Sequence, residues 1–227
     1  DYAKPECKIM NSAVMTLEEV IAAMVPAAQA GQLVVRLHTG DPSVYGAHRE
    51  QMDLLKSYNL DYEIVPGVSS FCAAAASLKA EYTLPEVSQS VIITRMEGRT
   101  GVPAKQKIKD YARHHATMVI FLSAGMLEKL QKELISGGYK AEEPAAIVYK
   151  ASWPDEKIFH CTVGTLAETA EANQIKNLAL ITVGGFLGTA YERSELYNPT
   201  FETGFRKADT SKLKIKPYKR ARQKTEE

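Results

Sequence analysis

Four charged side chains in this sequence are candidates for contact with a charged substrate. Arg95, Glu97 and Arg99 lie close together in a loop that contains two glycines, and Lys150 follows an apolar run farther along the chain. Arginine pairs with carboxylates through two parallel hydrogen bonds, so this set could bind a substrate that carries several carboxylates. The same residues could also form an ordinary solvated turn.

A further candidate is Asp41, in the turn 39–42 (TGDP). Residues 33–38 are mostly apolar and predict a buried strand of a parallel sheet, and a helix is predicted over 45–58. Ligands of such sheets bind beyond the carboxyl ends of the strands. Asp41 could therefore contact a ligand or simply cap the helix, and the residues alone leave both open. A histidine in the position of His38 is more often structural than catalytic.

Small and polar residues follow apolar runs at four other places in the chain. They are PGVSS at 66–70, LSAG at 122–125, KASWP at 150–154 and VGG at 183–185. Together with the turn TGDP, these loops could line one crevice for a small molecule. The sequence contains no nucleophile elbow, phosphate-binding loop, HExxH or GxGxxG motif. A reaction that depends mainly on the positioning of its reactants fits this inventory.

Apolar runs and helical patterns alternate twice along the chain, with a polar break near residues 82–89. This alternation predicts an α/β fold with two α/β domains. We expect the first domain over 1–84, a linker over 85–89, the second domain over 90–188, and a polar basic tail over 189–227.

The first domain is expected to begin with a helix whose capping box starts at Thr16 and which is kinked or shortened at Pro26. A short strand over 62–65 and an alanine-rich helix over 71–80 follow. In the second domain, strands are predicted near 90–94, 117–122, 145–149, 158–163 and 178–183.

Composition argues against several classes of protein. The chain has 227 residues, 45% of them hydrophobic, and a formal net charge of +1, so it has no general attraction to nucleic acid or membranes. Three widely spaced cysteines argue against a disulfide framework or a metal site and for a cytoplasmic setting. No apolar run approaches the roughly 20 residues of a membrane span. The Lys- and Arg-rich stretch 206–224 could bind nucleic acid, but a solvated extension is favoured.

The span 34–67 resembles the tetrapyrrole (corrin/porphyrin) methylases, which use S-adenosylmethionine. The resemblance rests on Val34, Leu37, Gly40, Asp41, Tyr45, Gly46, Tyr62, Ile64, Pro66 and Gly67. It continues downstream through Gly184. Within the family, the blocks 94–103 and 148–157 resemble precorrin-4 C11-methyltransferases of cobalamin synthesis.

This resemblance implies two α/β domains with the ligand cleft between them, usually in a homodimer. It also implies methylation of precorrin-4 or cobalt-precorrin-4 at ring carbon 11, with S-adenosylmethionine as the donor. Carried onto this sequence, the donor contacts are Thr39, Gly40, Asp41, Val44, Ser69, Ser70, Leu122, Ser123, Ala151, Ala179 and Leu180. Arg95, Glu97, Arg99 and Lys150 become hypotheses for substrate binding or proton transfer.

One departure from the family pattern bears on donor binding. Members normally begin with a strand and a loop of the form GxGPGDP, whereas this sequence starts in what resembles the region after the first helix. The sequence is therefore either a fragment or a form without that strand. For the second case we expect weak donor binding and an exposed sheet edge.

Three other functions stay open. A methylase of the same fold could act at another ring carbon, and the fold also hosts methylases of protein and ribosomal RNA. A non-catalytic module that binds a tetrapyrrole or nucleoside is the alternative from another class.

Overall fold

The computed structural model describes residues 2–192, 194–209 and 211. The chain divides into a first unit, Asp1–Ser69, and a second unit, Ser70–Glu227. The predicted linker 85–89 falls within the second unit, where the Val87 amide donates to the Leu84 carbonyl, and the domain limits given above stay a prediction. Most of the Lys- and Arg-rich stretch, from 212 onward, lies outside the described residues.

The first unit is built on two helices, α1 (Leu17–Gln29) and α2 (Arg49–Ser57). The predicted capping box is present at Thr16, whose hydroxyl accepts from the Glu19 amide at 3.3 Å. Pro26 lies in the last turn of α1, and Gly31 follows at φ +74°, the left-handed conformation in which helices commonly end. Apolar side chains of α1 form a small core with Val34, Leu54, Leu55 and Leu60.

Two predicted strands of the first unit are wrong. None of the described residues in 33–38 or 62–65 belongs to a strand, and the side chains of Leu33 and Leu37 are 92% and 82% exposed. The apolar pattern suits a strand, but a strand also needs a hydrogen-bonded neighbour. Neither segment has one among the described residues.

The predicted helix over 45–58 also begins later than expected. Tyr45 and Ala47 have φ values of 57° and 47°, which are incompatible with a right-handed helix. The helix therefore starts only at Arg49.

The second unit contains helix α3 (Ser70–Leu78) and a five-stranded sheet. Its further elements, in chain order, are β1 (Val91–Arg95), α4 (Ile108–Ala112), β2 (Thr117–Phe121), α5 (Leu127–Ser136), β3 (Pro144–Tyr149), β4 (Lys157–Thr162), α6 (Leu166–Ala172) and β5 (Ala179–Val183). The strand order is β1-β2-β5-β3-β4, with β1 and β2 parallel and the other pairs antiparallel. The predicted α/β class is confirmed, with a mixed sheet.

Helices cover both faces of this sheet. Ala74 and Leu78 of α3 pack on one face with Val119, Val148 and Leu180. Helices α4, α5 and α6 bury their apolar side chains against the other face, which presents Met118, Ile120, Ile147 and Ile181. Because both faces are covered, β2, β3 and β5 are almost continuously buried, as their unbroken apolar runs predict.

Candidate functional site

One edge of the sheet collects the predicted site segments of the second unit. The register pairs Arg95 with Phe121 at the ends of β1 and β2, and it pairs Tyr149 at the end of β3 with Ala179 at the start of β5. The loops at 96–101, 122–125 and 150–156 therefore leave the sheet at the same edge. Predicted contacts that are far apart in sequence come together there.

Three residues next to strand ends at this edge have a strained backbone. Leu122 after β2, Lys150 after β3 and Leu178 before β5 have φ values of 52°, 49° and 51°. Side chains with a Cβ avoid this left-handed region, and residues held in it cluster at binding and catalytic sites. Leu122 also keeps 69% of its surface exposed at the end of a buried strand. Strained backbone and an exposed apolar side chain therefore occur together at this edge.

Ser123, a predicted donor contact, has its hydroxyl committed to the protein. Its Oγ donates to the Phe121 carbonyl at 2.6 Å and accepts from the Met96 amide at 2.9 Å. The residue is fully buried. Its side chain links the chain leaving β1 to the chain leaving β2, and its hydroxyl is fully engaged in these two bonds.

The predicted contacts Ala151 and Leu180 share one face of the sheet. Both belong to the cluster formed with Phe71 and Ala75 of α3. Ala179, the neighbour of Leu180, packs with the cluster on the opposite face, because successive side chains of a strand alternate. Ser70 is the first residue of α3, and Ser69 precedes it as a buried residue at the end of the first unit.

In the first unit, Asp41 fastens the turn 39–42 to Gly67. Its Oδ2 accepts from the Gly67 amide at 2.8 Å, across 26 positions of sequence. Its Oδ1 accepts from the Ser43 amide at 2.8 Å and from the Ser43 hydroxyl. These hydrogen bonds hold the pKa of the Asp41 carboxyl below its usual value, and the bond from the Ser43 hydroxyl contributes most. Asp41 therefore connects two loops, in addition to any contact with a ligand. We call this set of hydrogen bonds the Asp41 latch.

The latch brings two glycines into backbone contact. Gly40 has φ +63°, and a Cβ added to Gly67 would lie 2.0 Å from the Gly40 carbonyl oxygen. Such a distance is far inside van der Waals contact, so no side chain fits at Gly67. The predicted contacts Thr39 and Val44 flank this pair, and the Val44 amide donates to the Asp41 carbonyl at 3.3 Å.

His38 lies beside this turn and packs edge-on against His48, with the ring centroids 5.9 Å apart. Burial, followed by the charge of Arg36, lowers the pKa of the His38 imidazole. A neutral imidazole in a ring contact fits the structural role expected of it.

The four charged candidates have different surroundings. The Arg95 guanidinium donates to the carbonyls of Met96, Thr100 and Gly101 at 3.2, 3.2 and 2.7 Å. Glu97 lies 4.0 Å from the Lys107 ammonium. Arg99 is exposed, and among the described residues it has no hydrogen-bond or ion-pair partner. Arg95 therefore shapes the loop, whereas Arg99 is free to bind a substrate.

Lys150 is already paired within its own loop. Its ammonium bonds to Asp155 and lies 5.3 Å from the centroid of the Trp153 ring. The hydrogen bond to Asp155 raises the pKa of Lys150. Binding of a substrate carboxylate by Lys150 would have to compete with this pair.

Sequence reasoning missed two residues that shape the turn. Ser43 was not singled out, although an aspartate followed two residues later by serine is a recognisable local hydrogen-bonding pattern. Gly67 belongs to the predicted loop PGVSS and to the residues of the resemblance, but neither pointed to its contact with Asp41. No local pattern shows that its amide meets Asp41.

The family follows from comparison with known proteins. The model of the family described as Tetrapyrrole (Corrin/Porphyrin) Methylases matches residues 2–167. The chain belongs to the tetrapyrrole methylases. A cobalt-precorrin-4 C(11)-methyltransferase of Methanocaldococcus jannaschii is 55% identical to this tetrapyrrole methylase over 209 residues, which cover 92% of the chain and 81% of the relative. The family resemblance is thereby confirmed.

Two solved structures resemble the tetrapyrrole methylase described here. The X-ray structure of a cobalt precorrin-4 methyltransferase, a cobalamin biosynthetic enzyme, matches with a TM-score of 0.80 at 46% identity, over 82% of this chain and 77% of that chain. A uroporphyrin-III C-methyltransferase of Thermus thermophilus in complex with S-adenosylhomocysteine matches with a TM-score of 0.63 at 27% identity, over 75% and 74% of the two chains.

Within the described ranges, no group of three His, Cys, Asp or Glu side chains is placed to hold a metal ion. None of the helices described is both long and apolar enough to cross a membrane.

Proposed function

We propose that this chain transfers a methyl group from S-adenosylmethionine to ring carbon 11 of cobalt-precorrin-4 or precorrin-4, in the synthesis of cobalamin. The observation that carries the proposal is the extent of its likeness to the methyltransferase of M. jannaschii, 55% identity over 92% of the chain. The cobalt-containing substrate is favoured, because both that relative and the most similar of the two structures described above are named for it.

The proposed reaction is an in-line displacement at the donor's methyl carbon. The sulfur would keep the electron pair of the broken sulfur–methyl bond and leave as S-adenosylhomocysteine, while the ring carbon would form the new carbon–carbon bond and the ring would release one proton. Such a transfer needs no nucleophilic side chain, since alignment and exclusion of water can supply much of the acceleration. This fits a site made of small residues, backbone groups and strained turns.

The residues have separate proposed tasks. The donor is bound by the contacts set out above, with Ala179 or Leu180 near its adenine, and the turn 39–42 keeps its shape through the Asp41 latch. Arg99 is proposed to bind a carboxylate of the tetrapyrrole, because its guanidinium is exposed and arginine suits that group. Glu97 is kept as a candidate for proton transfer.

The reaction is tested with donor labelled with ¹³C in its methyl group. The chain is incubated with cobalt-precorrin-4 and, separately, with precorrin-4. We expect a product heavier by one methyl group and an NMR signal from a methyl on ring carbon 11, formed faster from the cobalt substrate. Label at another ring carbon would contradict the assignment of position. Transfer to neither substrate, with intact tetrapyrrole binding, would favour a non-catalytic binding module.

A homodimer and a cytoplasmic setting are also proposed. The resemblance to the family suggests the dimer, which light scattering of the purified chain would test. Cys7, Cys72 and Cys161 are all free thiols, which is consistent with a reducing compartment. Fractionation of cells that produce the tagged protein would test the location.

A further inference from the structure

Glu156 joins two segments of the second unit that are far apart in sequence. Its Oε2 accepts a hydrogen bond from the Ser77 hydroxyl of α3 at 2.9 Å, across 79 positions. The same oxygen accepts from the Ser152 amide at 2.6 Å. One carboxylate oxygen thus holds both the third turn of a helix and the loop 150–156 between β3 and β4.

The bond to Ser152 closes the loop, whereas the bond to Ser77 fixes that loop to the helix. The Ser77 hydroxyl carries a single proton and also lies 3.0 Å from the Ala73 carbonyl. An ionised carboxylate is the stronger acceptor of the two, so the proton is drawn to Glu156. Asp155 is paired with Lys150, and the ring of Trp153 is exposed. Neither side chain makes a second polar contact with α3.

The loop held in this way carries a predicted donor contact. Ala151 packs in the cluster that includes Phe71 and Ala75 of α3. Its neighbours Lys150 and Ser152 have φ values of 49° and 69°. A loop with two residues in this unfavourable region keeps its shape only if surrounding contacts impose it.

We propose that Glu156 is a positioning residue that holds the loop 150–156 against α3 and so fixes Ala151 for donor binding. The inference rests on the proposed function, in which Ala151 and Ser70 contact the donor. Glu156 itself touches neither reactant in this account. It acts through the loop.

The position of the loop can be followed without any ligand. The single tryptophan of the chain, Trp153, lies in this loop. We expect Glu156→Ala and Ser77→Ala to lower its fluorescence anisotropy and to increase quenching by acrylamide. Glu156→Gln keeps an oxygen that can accept both bonds but loses the charge that favours it over the Ala73 carbonyl, so its values should lie between those of wild type and Glu156→Ala. Glu171→Ala, an exposed carboxylate on α6, is the matched control and should change nothing.

Donor binding is measured by calorimetry with S-adenosylhomocysteine. Glu156→Ala removes the acceptor of both hydrogen bonds and should weaken binding about tenfold or more, since a single hydrogen bond to a charged group already contributes about that much. Ser77→Ala should weaken it less, and Glu156→Gln should restore it in part. Because Ser77 acts only through its hydrogen bond to Glu156, the double variant Ser77→Ala/Glu156→Ala should bind S-adenosylhomocysteine no more weakly than Glu156→Ala alone.

The outcomes separate this inference from the proposed function. A wild-type chain that binds no S-adenosylhomocysteine contradicts the donor site and with it the positioning role, while the fluorescence still decides whether the tie exists. A mobile Trp153 with unchanged donor affinity overturns the positioning role alone. Unchanged fluorescence in both alanine variants would contradict the claim that the Ser77–Glu156 hydrogen bond holds the loop. If Glu156→Ala does not fold, Ser77→Ala carries the test, and it must change both readouts in the same direction.

Discussion

The two units contain the same sequence pattern with different structural results. In each, an apolar run is followed by a turn of small and polar residues: 33–38 before TGDP in the first unit, and 117–121 before LSAG in the second. The second run becomes β2, which lies between β1 and β5 and is buried. The first run pairs with no described strand; Leu33, Val35 and Leu37 are exposed, and Val34 packs against the small core of α1. An apolar run specifies which residues can be buried, but backbone pairing makes it a strand.

The two regions of the candidate site are therefore held in shape by different interactions. In the second unit, the sheet and its covering helices set where each loop begins. In the first unit, the turn 39–42 is held by the polar latch from Asp41 to Gly67. Mutations should separate these two kinds of support.

The largest expected effect comes from a matched pair of leucines. Leu134 is fully buried in the second unit, and Leu33 is 92% exposed in the first. Leu134→Ala should reduce the free energy of unfolding by about 2–5 kcal/mol, since it leaves a cavity in the core. Leu33→Ala should change it by about 0.5 kcal/mol or less. Urea titration measures both, and a large loss with Leu33→Ala would show that its segment is buried in the folded protein.

The contact between the two glycines should be the next most sensitive point. Gly67→Ala places a Cβ against the Gly40 carbonyl and must separate the two loops, so donor affinity should fall about tenfold or more. Gly204→Ala is the matched control, because nothing lies within 4 Å of the added Cβ. Calorimetry with S-adenosylhomocysteine decides the matter. Equal affinities for the two variants would mean that the turn is not held at this contact.

A smaller effect is expected from Asp41→Asn, and it should depend on pH. The pKa of Asp41 is lowered in the folded chain, so the latch contributes stability above the ordinary pKa of about 4 and loses it as the pH falls through the lowered value. The wild type should therefore be the more stable protein at neutral pH, and its advantage over Asp41→Asn should shrink in acid. Thermal melts over a pH series measure this difference. A difference that grows in acid would contradict the latch.

The smallest effect distinguishes Arg95, the last residue of β1, from Arg99 in the loop 96–101. Arg99→Ala removes a free guanidinium, so it should raise KM for the tetrapyrrole a few-fold, about the effect of losing one exposed ion pair. The melting temperature should stay unchanged. Arg95→Ala removes donors to three carbonyls and should lower the melting temperature as well. Steady-state kinetics and melts of both variants test the assignment. Identical behaviour of the two would remove the distinction.

The strands of the second unit were predictable to within one or two residues, and for β2, β3 and β5 the reason is that burial on both faces leaves unbroken apolar runs. The first unit was not, since the same kind of run over 33–38 has no partner strand that the sequence would reveal. In the candidate site, spacing along the chain identified the loops, but it did not show what individual side chains do. The partners of Asp41, Ser123 and Glu156 lie 26, 27 and 79 positions away, and contacts at such separations leave no local pattern.

The strand order has a consequence for how the chain emerges during synthesis. Among the described residues β5 is the last strand, yet it occupies the middle of the sheet, between β2 and β3. Until residues 179–183 have left the ribosome, both β2 and β3 present an unpaired edge, and such edges invite association with other chains. A nascent chain that pauses before Ala179 would therefore be exposed to aggregation. The last strand to be made both closes the sheet and supplies Leu180 to the candidate site.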